Sequence, residues 1–260
     1  MTVHDLIHEK FRRNYPGYRW GMIINRMRRC VEEADLVICV SESTCSDLQE
    51  VYGTSPNKIR VIPNGHSGTF QGDVQRPRGL GFRRPFLLNV GGRFGHPAFA
   101  YKNTATLIES FKTWHRRNEF DLVFVSGHWS KEEHRLLAGA GMSEHVILVS
   151  ANDSELAWLY QEASVYVHPS LCEGFGIPVL EAMANGCPVV ASRIPSTTEI
   201  AGNIPFYFES EDVDELCSAL DQAVGLGRDS DRTCDGKKVA ESFTWCRTAK
   251  ETFGAYQMLV

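Results

Sequence analysis

The sequence lacks the features of a membrane-spanning, exported or nucleic-acid-binding protein. No apolar run approaches the roughly 18 residues of a membrane-spanning helix, and residues 1–5 do not form a signal peptide. The net charge is −5, which argues against general affinity for nucleic acid. No G-x-G-x-x-G fingerprint is present either. We therefore expect a cytoplasmic protein that has no nucleic acid as a partner.

The cysteines and histidines lack the spacing of a metal centre. The chain has 8 cysteines without a C-x-x-C pair, and its 9 histidines form no H-E-x-x-H motif. Several cysteines lie in apolar runs, where a thiol behaves as a small hydrophobic side chain. Asp212 and Asp214 have the D-x-D spacing of metal-dependent transferases, but they lie in an acidic run that predicts a helix start. We expect reduced thiols and no metal cofactor.

Short apolar runs alternate with helical patterns along the chain. This alternation is typical of βαβ units and predicts an α/β fold with a mainly parallel sheet. Ligands of such sheets bind beyond the carboxyl ends of the strands, where the glycine-rich turns of this chain fall. The runs predicted as buried strands are residues 37–40, 59–62, 86–90, 122–125, 146–149, 165–168 and 188–191.

The composition divides the chain into unequal parts. Residues 71–85 are rich in Gly, Pro and Arg and are the best linker candidate. We predict a partial domain over residues 1–75 and a complete Rossmann-like domain over residues 76–240. Residues 241–260 are predicted as a closing helix that returns to the first part. Because apolar residues recur in that helix at helical spacing, it needs an apolar partner surface.

Residues 169–188 set two carboxylates, Glu173 and Glu181, around a glycine turn. The unpaired N–H groups of residues 175–179 at the helix start can bind an anion, and a nearby glutamate can accept hydrogen bonds from sugar hydroxyls. A capped helix with an acidic first turn explains the same residues equally well. A glycosidase acid–base pair is a weaker interpretation, because no neighbouring residue indicates a catalytic water.

Two cations, Arg93 and Lys102, flank the end of another predicted strand. Together they can hold a diphosphate, the arginine through a bidentate fork and the lysine as a point charge. Alone, both are explained as solvated surface cations. The basic segment 1–30 carries seven Lys and Arg against two acidic residues and is interleaved with aromatic side chains. It fits an anionic membrane surface or a lipid-diphosphate acceptor, and more often such a run is a solvated helix face.

Residues 169–188 resemble the E-x7-E region of the family-4 retaining glycosyltransferases (group 1), which have the GT-B fold. Further segments resemble that family in the same order, and the likeness covers nearly the whole chain from Thr2 onward. The segment 94–100 is longer than the family usually has, which predicts a displaced Lys102. The additional matching segments are residues 35–44, 61–65, 88–93 with 101–103, and 243–245.

The resemblance implies a role for each candidate residue. Glu181 would hold the ribose of a nucleotide-sugar donor, and Glu173 would hold the donor sugar. Arg93 and Lys102 would hold the diphosphate without a metal ion, and His4 would face the sugar across a cleft. The remaining donor-binding positions are Gly92, Gly127, Val149, Gly174, Phe175, Gly176 and Ile177.

The resemblance further implies a transferase for glycan or glycolipid synthesis. A hexosyl group would pass with retention from a UDP or GDP sugar to a glycan or lipid-linked acceptor, in the cytoplasm or at the inner membrane face. In that family the chain would open within the last part of a first domain, so we expect a missing N-terminal half or a partner chain that supplies it. The alternatives are a non-catalytic nucleotide-sugar-binding fragment or half of a split enzyme.

Overall fold

The computed structural model describes residues 1–15, 18–67, 74–77, 81, 83–93, 97–126, 129–139 and 141–259. The chain forms two parallel sheets, one of three strands in the order β1-β2-β3 and one of six in the order β6-β5-β4-β7-β8-β9. The predicted α/β class and parallel pairing are confirmed. The strands are β1 (Thr2–Val3), β2 (Val37–Cys39), β3 (Ile59–Val61), β4 (Phe86–Val90), β5 (Asp121–Val125), β6 (Val146–Val149), β7 (Val165–His168), β8 (Val189–Ser192) and β9 (Phe206–Phe208).

Helices connect the strands and cover both faces of the larger sheet. Within the described ranges, none of them is both long enough and apolar enough to cross a bilayer. The α-helices are α1 (Ile7–Lys10), α2 (Tyr18–Glu33), α3 (Glu42–Tyr52), α4 (Thr104–Thr113), α5 (Lys131–Gly139), α6 (Asp153–Glu162), α7 (Ile177–Ala184), α8 (Pro195–Ala201), α9 (Val213–Leu226), α10 (Asp231–Glu241) and α11 (Trp245–Gln257). Short 3-10 helices cover Arg12–Asn14, Pro56–Lys58, Pro97–Lys102 and Arg117–Glu119.

The strands of the larger sheet are apolar because both of their faces are buried. Successive residues of a strand point to opposite faces, so Leu88 packs in one core cluster and Leu87 in another. The first cluster includes Tyr160 of α6 and Leu180 of α7. The second includes residues of α4 and α9. The larger sheet is therefore the middle layer of an α/β/α sandwich.

The order of the strands creates a crevice at the carboxyl edge of this sheet. From β4 the chain winds outwards to β5 and β6, and it then returns to place β7 on the other side of β4. Connections that leave adjacent strands in opposite directions open a ligand crevice between them. The turns after these two strands are the glycine-rich ones, at Gly91-Gly92 and at residues 174–176.

The smaller sheet packs on its own helices and on the end of the chain. Val3, Val37 and Leu48 are in its buried cluster. Ala255 of α11 packs beside Ile38 on this sheet. The domain bounds proposed at residues 75 and 240 stay a prediction, and about half of the proposed linker lies outside the described residues.

Large apolar side chains are exposed on two helices of this smaller part of the molecule. On α11, Phe253 is 63% exposed and Tyr256 is 52% exposed. On α2, Met22 and Ile23 are also exposed. Large apolar side chains on a helix surface are typical of a face that contacts another molecule.

Candidate active site

The loop after β7 leads through residues 169–176 into α7 and requires glycine at two positions. Gly176 has φ of 117°, which L side chains rarely adopt. Gly174 instead lies against the smaller sheet, because a Cβ built on it would be 1.8 Å from the carbonyl oxygen of His4. Pro178 occupies the first turn of α7, where its missing N–H costs nothing. The loop is therefore fixed between the two sheets.

Glu173, in this loop, is largely buried and bound by two donors. Lys102 Nζ lies 2.8 Å from its Oε1, and Ser170 Oγ donates to the same oxygen at 2.7 Å. Burial raises the pKa of a carboxyl group, but the Lys102 charge, His168 and these hydrogen bonds outweigh burial and lower the pKa of Glu173 below its ordinary value. The carboxylate is therefore ionised at neutral pH and can accept further hydrogen bonds.

His168 lies behind Glu173 at the end of β7. Its side chain is 3% exposed, and its Nε2 atom is 3.7 Å from Glu173 Oε1. Its Nδ1 atom is 3.0 Å from the hydroxyl of Tyr166, which is buried on the same strand. Burial lowers the pKa of His168 to about 4, so the imidazole is neutral.

Arg93 follows β4 and two glycines and forms a bidentate pair with Glu133. Its Nε and Nη2 atoms lie 2.6 Å from the two carboxylate oxygens of Glu133. The Ser130 N–H donates to the same carboxylate at 2.8 Å. Burial raises the pKa of Glu133, but these hydrogen bonds and the arginine charge together lower it to about 2. The ring of Trp129 also lies 5.4 Å below the guanidinium, an arrangement that favours the cation.

Glu181 occupies a separate place on α7. Tyr160 donates a hydrogen bond of 3.1 Å to its Oε2 atom. Burial raises the pKa of Glu181, and the nearby charge of Asp153 raises it further. The two glutamates of one loop-helix unit therefore have opposite pKa shifts, which is typical of groups with different roles. A cavity of about 130 Å³ opens beside Glu181. It is lined by Ser67, Asp153, Leu156, Ala157, Tyr160, Glu181 and Asn185.

The smaller sheet holds the backbone of the Glu173 loop. Ser41 and Thr44, at the start of α3, donate hydrogen bonds of 2.5 Å and 2.9 Å to the carbonyl oxygen of Gly174. Glu199 of α8 accepts from the first two N–H groups of α3 at 2.8 Å and 3.0 Å, which satisfies donors that a helix start leaves free. His4 directly follows β1 beside this contact, and its side chain is exposed.

The structure brings some of the predicted site residues together and separates others. Lys102, Glu173 and the backbone of His4 meet at the Gly174 loop, although the longer segment 94–100 predicted a displaced lysine. Arg93 reaches the same region through its carbonyl oxygen, which accepts a 2.5 Å hydrogen bond from Thr104 beside Lys102.

The other predicted donor-binding residues divide between the loop and the strand ends. Phe175 is buried in the core cluster under α7, and Ile177 opens that helix. A Cβ on Gly92 would be 2.1 Å from the Asn89 side chain, so the turn after β4 also requires glycine. The Val149 carbonyl accepts hydrogen bonds from Ser126 N–H and the Trp129 indole. Gly127 lies outside the described residues.

Sequence reasoning missed Glu133 and His168. Glu133 is three residues after Ser130, a spacing that predicts a helix start but not an arginine partner 40 residues away. His168 ends an apolar strand and resembles a core residue. Among the described residues, no three His, Cys, Asp or Glu side chains are grouped as metal ligands.

Comparison with known families gives two matches that together cover most of the chain. The family described as Glycosyl transferases group 1 matches residues 92–234, and Glycosyltransferase Family 4 matches residues 1–67. The chain is 38% identical to O-antigen chain mannosyltransferase B of Escherichia coli, over 99% of this chain and 70% of that protein. It is 27% identical to MMP alpha-(1->4)-mannosyltransferase of Mycolicibacterium hassiacum, over 93% of this chain and 58% of that protein.

Solved structures share the fold. Sucrose-phosphate synthase from Thermosynechococcus elongatus superposes with a TM-score of 0.77 at 23% identity, over 99% of this chain and 67% of that one. Anabaena Alr3699/HepE, in complex with UDP and glucose, gives a TM-score of 0.75 at 18% identity, over 98% of this chain and 70% of that one. At these identities the likeness shows the fold alone, and it confirms the predicted GT-B type. The chain spans 58% to 70% of the length of the two mannosyltransferases.

Proposed function

This chain belongs to the group 1 glycosyltransferases of family 4, and from that premise we propose that it transfers a hexosyl group from a nucleotide-diphosphate sugar. The acceptor is a glycan or a lipid-linked glycan, and the configuration of the donor sugar is retained. The observation that carries the proposal is the Lys102–Glu173 pair at the start of α7, in the crevice between β4 and β7. It places an ammonium group and an ionised carboxylate beside a helix start that has no side-chain cap.

In the proposed reaction, the cations act on the leaving group. When the bond between sugar and phosphate breaks, negative charge grows on the diphosphate. That charge is stabilised by Lys102, Arg93 and the α7 N-terminus. The stabilisation is strongest in the transition state, where the charge on the diphosphate has grown. Before the donor binds, each cation is paired with a carboxylate, Glu173 or Glu133, which keeps it beside the crevice. This positive charge serves in place of a metal ion.

The two glutamates hold the two ends of the donor. Glu173 is ionised and accepts hydrogen bonds from the hydroxyls of the donor sugar. Glu181 faces the cavity beside α6, where it accepts hydrogen bonds from the ribose. The backbone of residues 174–177 completes the sugar side, and His4 approaches from the smaller sheet. Gly92 and Val149 border the nucleotide.

A second candidate function is nucleotide-sugar binding without transfer by this chain alone. The exposed apolar side chains of α11, Phe253 and Tyr256 among them, favour it, because such a face fits a partner chain that completes the acceptor side. The exposed Met22 and Ile23 of α2 lie on a helix with four arginines, at residues 19, 26, 28 and 29. This composition favours a peripheral contact with an anionic membrane surface in the cytoplasm.

Transfer and binding assays with UDP and GDP hexoses separate these functions. Lys102→Ala and Arg93→Ala should lower kcat by about 100-fold or more and change the nucleotide Kd far less, because the lost interaction acts on developing charge. The matched controls are Lys112→Ala and Arg116→Ala, whose charges pair with the nearby Glu109 and Glu119. NMR of the product should show the anomeric configuration of the donor. Unchanged kinetics in both site variants would contradict the assignment, and calorimetric binding without turnover by the unaltered chain would favour the second function.

A further inference from the structure

We propose that His168 is a positioning residue, whose Nε2–H group holds the Glu173 carboxylate in place when Lys102 turns to the donor diphosphate. This inference rests on the proposed function, because it concerns the same loop and the same donor. It assigns a purpose to a buried histidine that touches neither sugar nor phosphate.

The surroundings of the imidazole fix its tautomer. His168 Nδ1 lies 3.0 Å from the Tyr166 hydroxyl, and a tyrosine hydroxyl can donate to an imidazole nitrogen that carries no hydrogen. Nε2 faces the oxygen of an ionised carboxylate, and a lone pair there would be repelled. The hydrogen of the neutral ring is therefore on Nε2, and it points at Glu173.

That Nε2–H group has no hydrogen-bond acceptor among the described residues, and its side chain is 3% exposed. A buried donor without a partner is rare and costly in folded proteins. Glu173 Oε1 is 3.7 Å away, so a movement of less than about 1 Å brings the pair to hydrogen-bond distance. The strand thus carries a donor that the carboxylate can reach without any rearrangement of the backbone.

The Nε2–H group of His168 becomes important when Lys102 leaves Glu173. The Lys102 ammonium binds Glu173 Oε1 at 2.8 Å, and the proposed function requires the same ammonium at the diphosphate. When the lysine turns away, Glu173 keeps only Ser170 as a side-chain donor. A buried carboxylate that loses its cation takes up a proton more readily, and a protonated Glu173 is a weaker acceptor for sugar hydroxyls. The His168 donor replaces the lost interaction and keeps the group ionised.

The titratable groups around Glu173 on every packed element must be considered in a pH test. Cys172 and the tyrosines titrate above neutral pH, and burial raises their pKa values further. Glu181 has a raised pKa and titrates in the acid limb of every variant, so the shift of that limb between variants is what reports Glu173. These groups are Lys102 and Tyr101 on the 3-10 helix, His168 and Tyr166 on β7, and Cys172 on the loop.

The test compares His168→Phe with His168→Gln in steady-state kinetics over pH 4.5–9. Gln keeps an N–H donor near the Nε2 position, and Phe removes it. For Phe we expect kcat to fall by about 10- to 100-fold, the worth of a hydrogen bond to a charged group, with the donor KM changed much less. Its acid limb in kcat should move to higher pH, because the limb reports the pKa of Glu173 in the bound complex. Gln should restore both properties for the most part.

A purely structural role would give other results. Both variants would then lose thermal stability, and the acid limb would not move; this outcome, or a Gln variant as impaired as Phe, overturns the inference. If the unaltered chain shows no turnover, the proposed function fails separately. The inference is then decided by a 13C NMR titration of the Glu173 carboxyl with UDP or GDP bound. A pKa equal in the unaltered chain and in His168→Phe would refute it, and a higher pKa in Phe would support it.

Discussion

Replacing Glu133 by glutamine should destabilise the protein, and the loss should depend on pH. The structure lowers the pKa of Glu133 from 4.5 to about 2. Each pH unit between folded and unfolded pKa values is worth 1.36 kcal/mol, so ionised Glu133 contributes about 3 kcal/mol to the free energy of unfolding at pH 7. The Glu133 side chain is 4% exposed, so solvent screens the pair with Arg93 only weakly.

The lowered pKa of Glu133 determines how the loss of stability depends on pH. A carboxyl group with a lowered folded-state pKa stabilises the protein above its unfolded pKa, and the contribution disappears as the pH falls toward the folded pKa. The window therefore lies between about pH 5 and pH 2. At pH 3 the difference between the two proteins should be about half of its value at pH 7.

Urea denaturation at pH 7, 5 and 3 measures this difference for the unaltered chain and Glu133→Gln. The matched control is Glu119→Gln, which removes the exposed partner of another arginine, Arg116, and should change little at any pH. A loss at pH 7 that persists unchanged at pH 3 would refute the electrostatic reasoning and leave packing as the cause. A Glu133→Gln variant as stable as the unaltered chain at pH 7 would show that the pair is not formed.

Two further predictions concern the loop and helix after β7. Gly174→Ala should lower the melting temperature strongly, because its Cβ would lie 1.8 Å from the His4 carbonyl oxygen. The control is Gly202→Ala, whose Cβ meets nothing within 4 Å and which should lose only the stability that its positive φ costs. Equal losses in the two variants would contradict the close approach at Gly174. Glu181→Gln should weaken UDP or GDP binding by about tenfold, the worth of a hydrogen bond to a charged group. The same variant should not lose stability at pH 7, because burial raises the pKa of Glu181 and the ionised carboxylate opposes folding there. Calorimetry measures the nucleotide affinity and thermal melts measure the stability. A Glu181→Gln variant that is less stable than the unaltered chain would contradict the effect of burial on Glu181.

The sequence predicted the parts of the fold that depend on local pattern. Apolar runs marked β4 and β7 because strands buried on both faces must be apolar throughout. Glycine turns marked their carboxyl ends, since positive φ and close approach both require glycine. The strand β9 (Phe206–Phe208) was not predicted, because three residues between a proline and acidic residues give too short a pattern.

The sequence did not predict the partners of the charged site residues, because these depend on the order of strands in the sheet. Arg93 meets Glu133 only because β5 lies next to β4, which no spacing along the chain encodes. His168 was missed for another reason. An apolar strand pattern identifies which residues are buried, but it does not show that a buried polar atom lacks a partner.

The hydrogen bonds from Ser41 and Thr44 to the Gly174 carbonyl restrict how the two sheets can move relative to each other. Two buried hydroxyls bind that oxygen, and the Gly174 backbone touches the end of β1. If the two sheets rotate relative to each other, this contact is the pivot, and displacements grow with distance from it. Glu173 is one residue away from this contact and would therefore move least. Its carboxylate would keep its position relative to the smaller sheet while parts of the molecule far from the contact move.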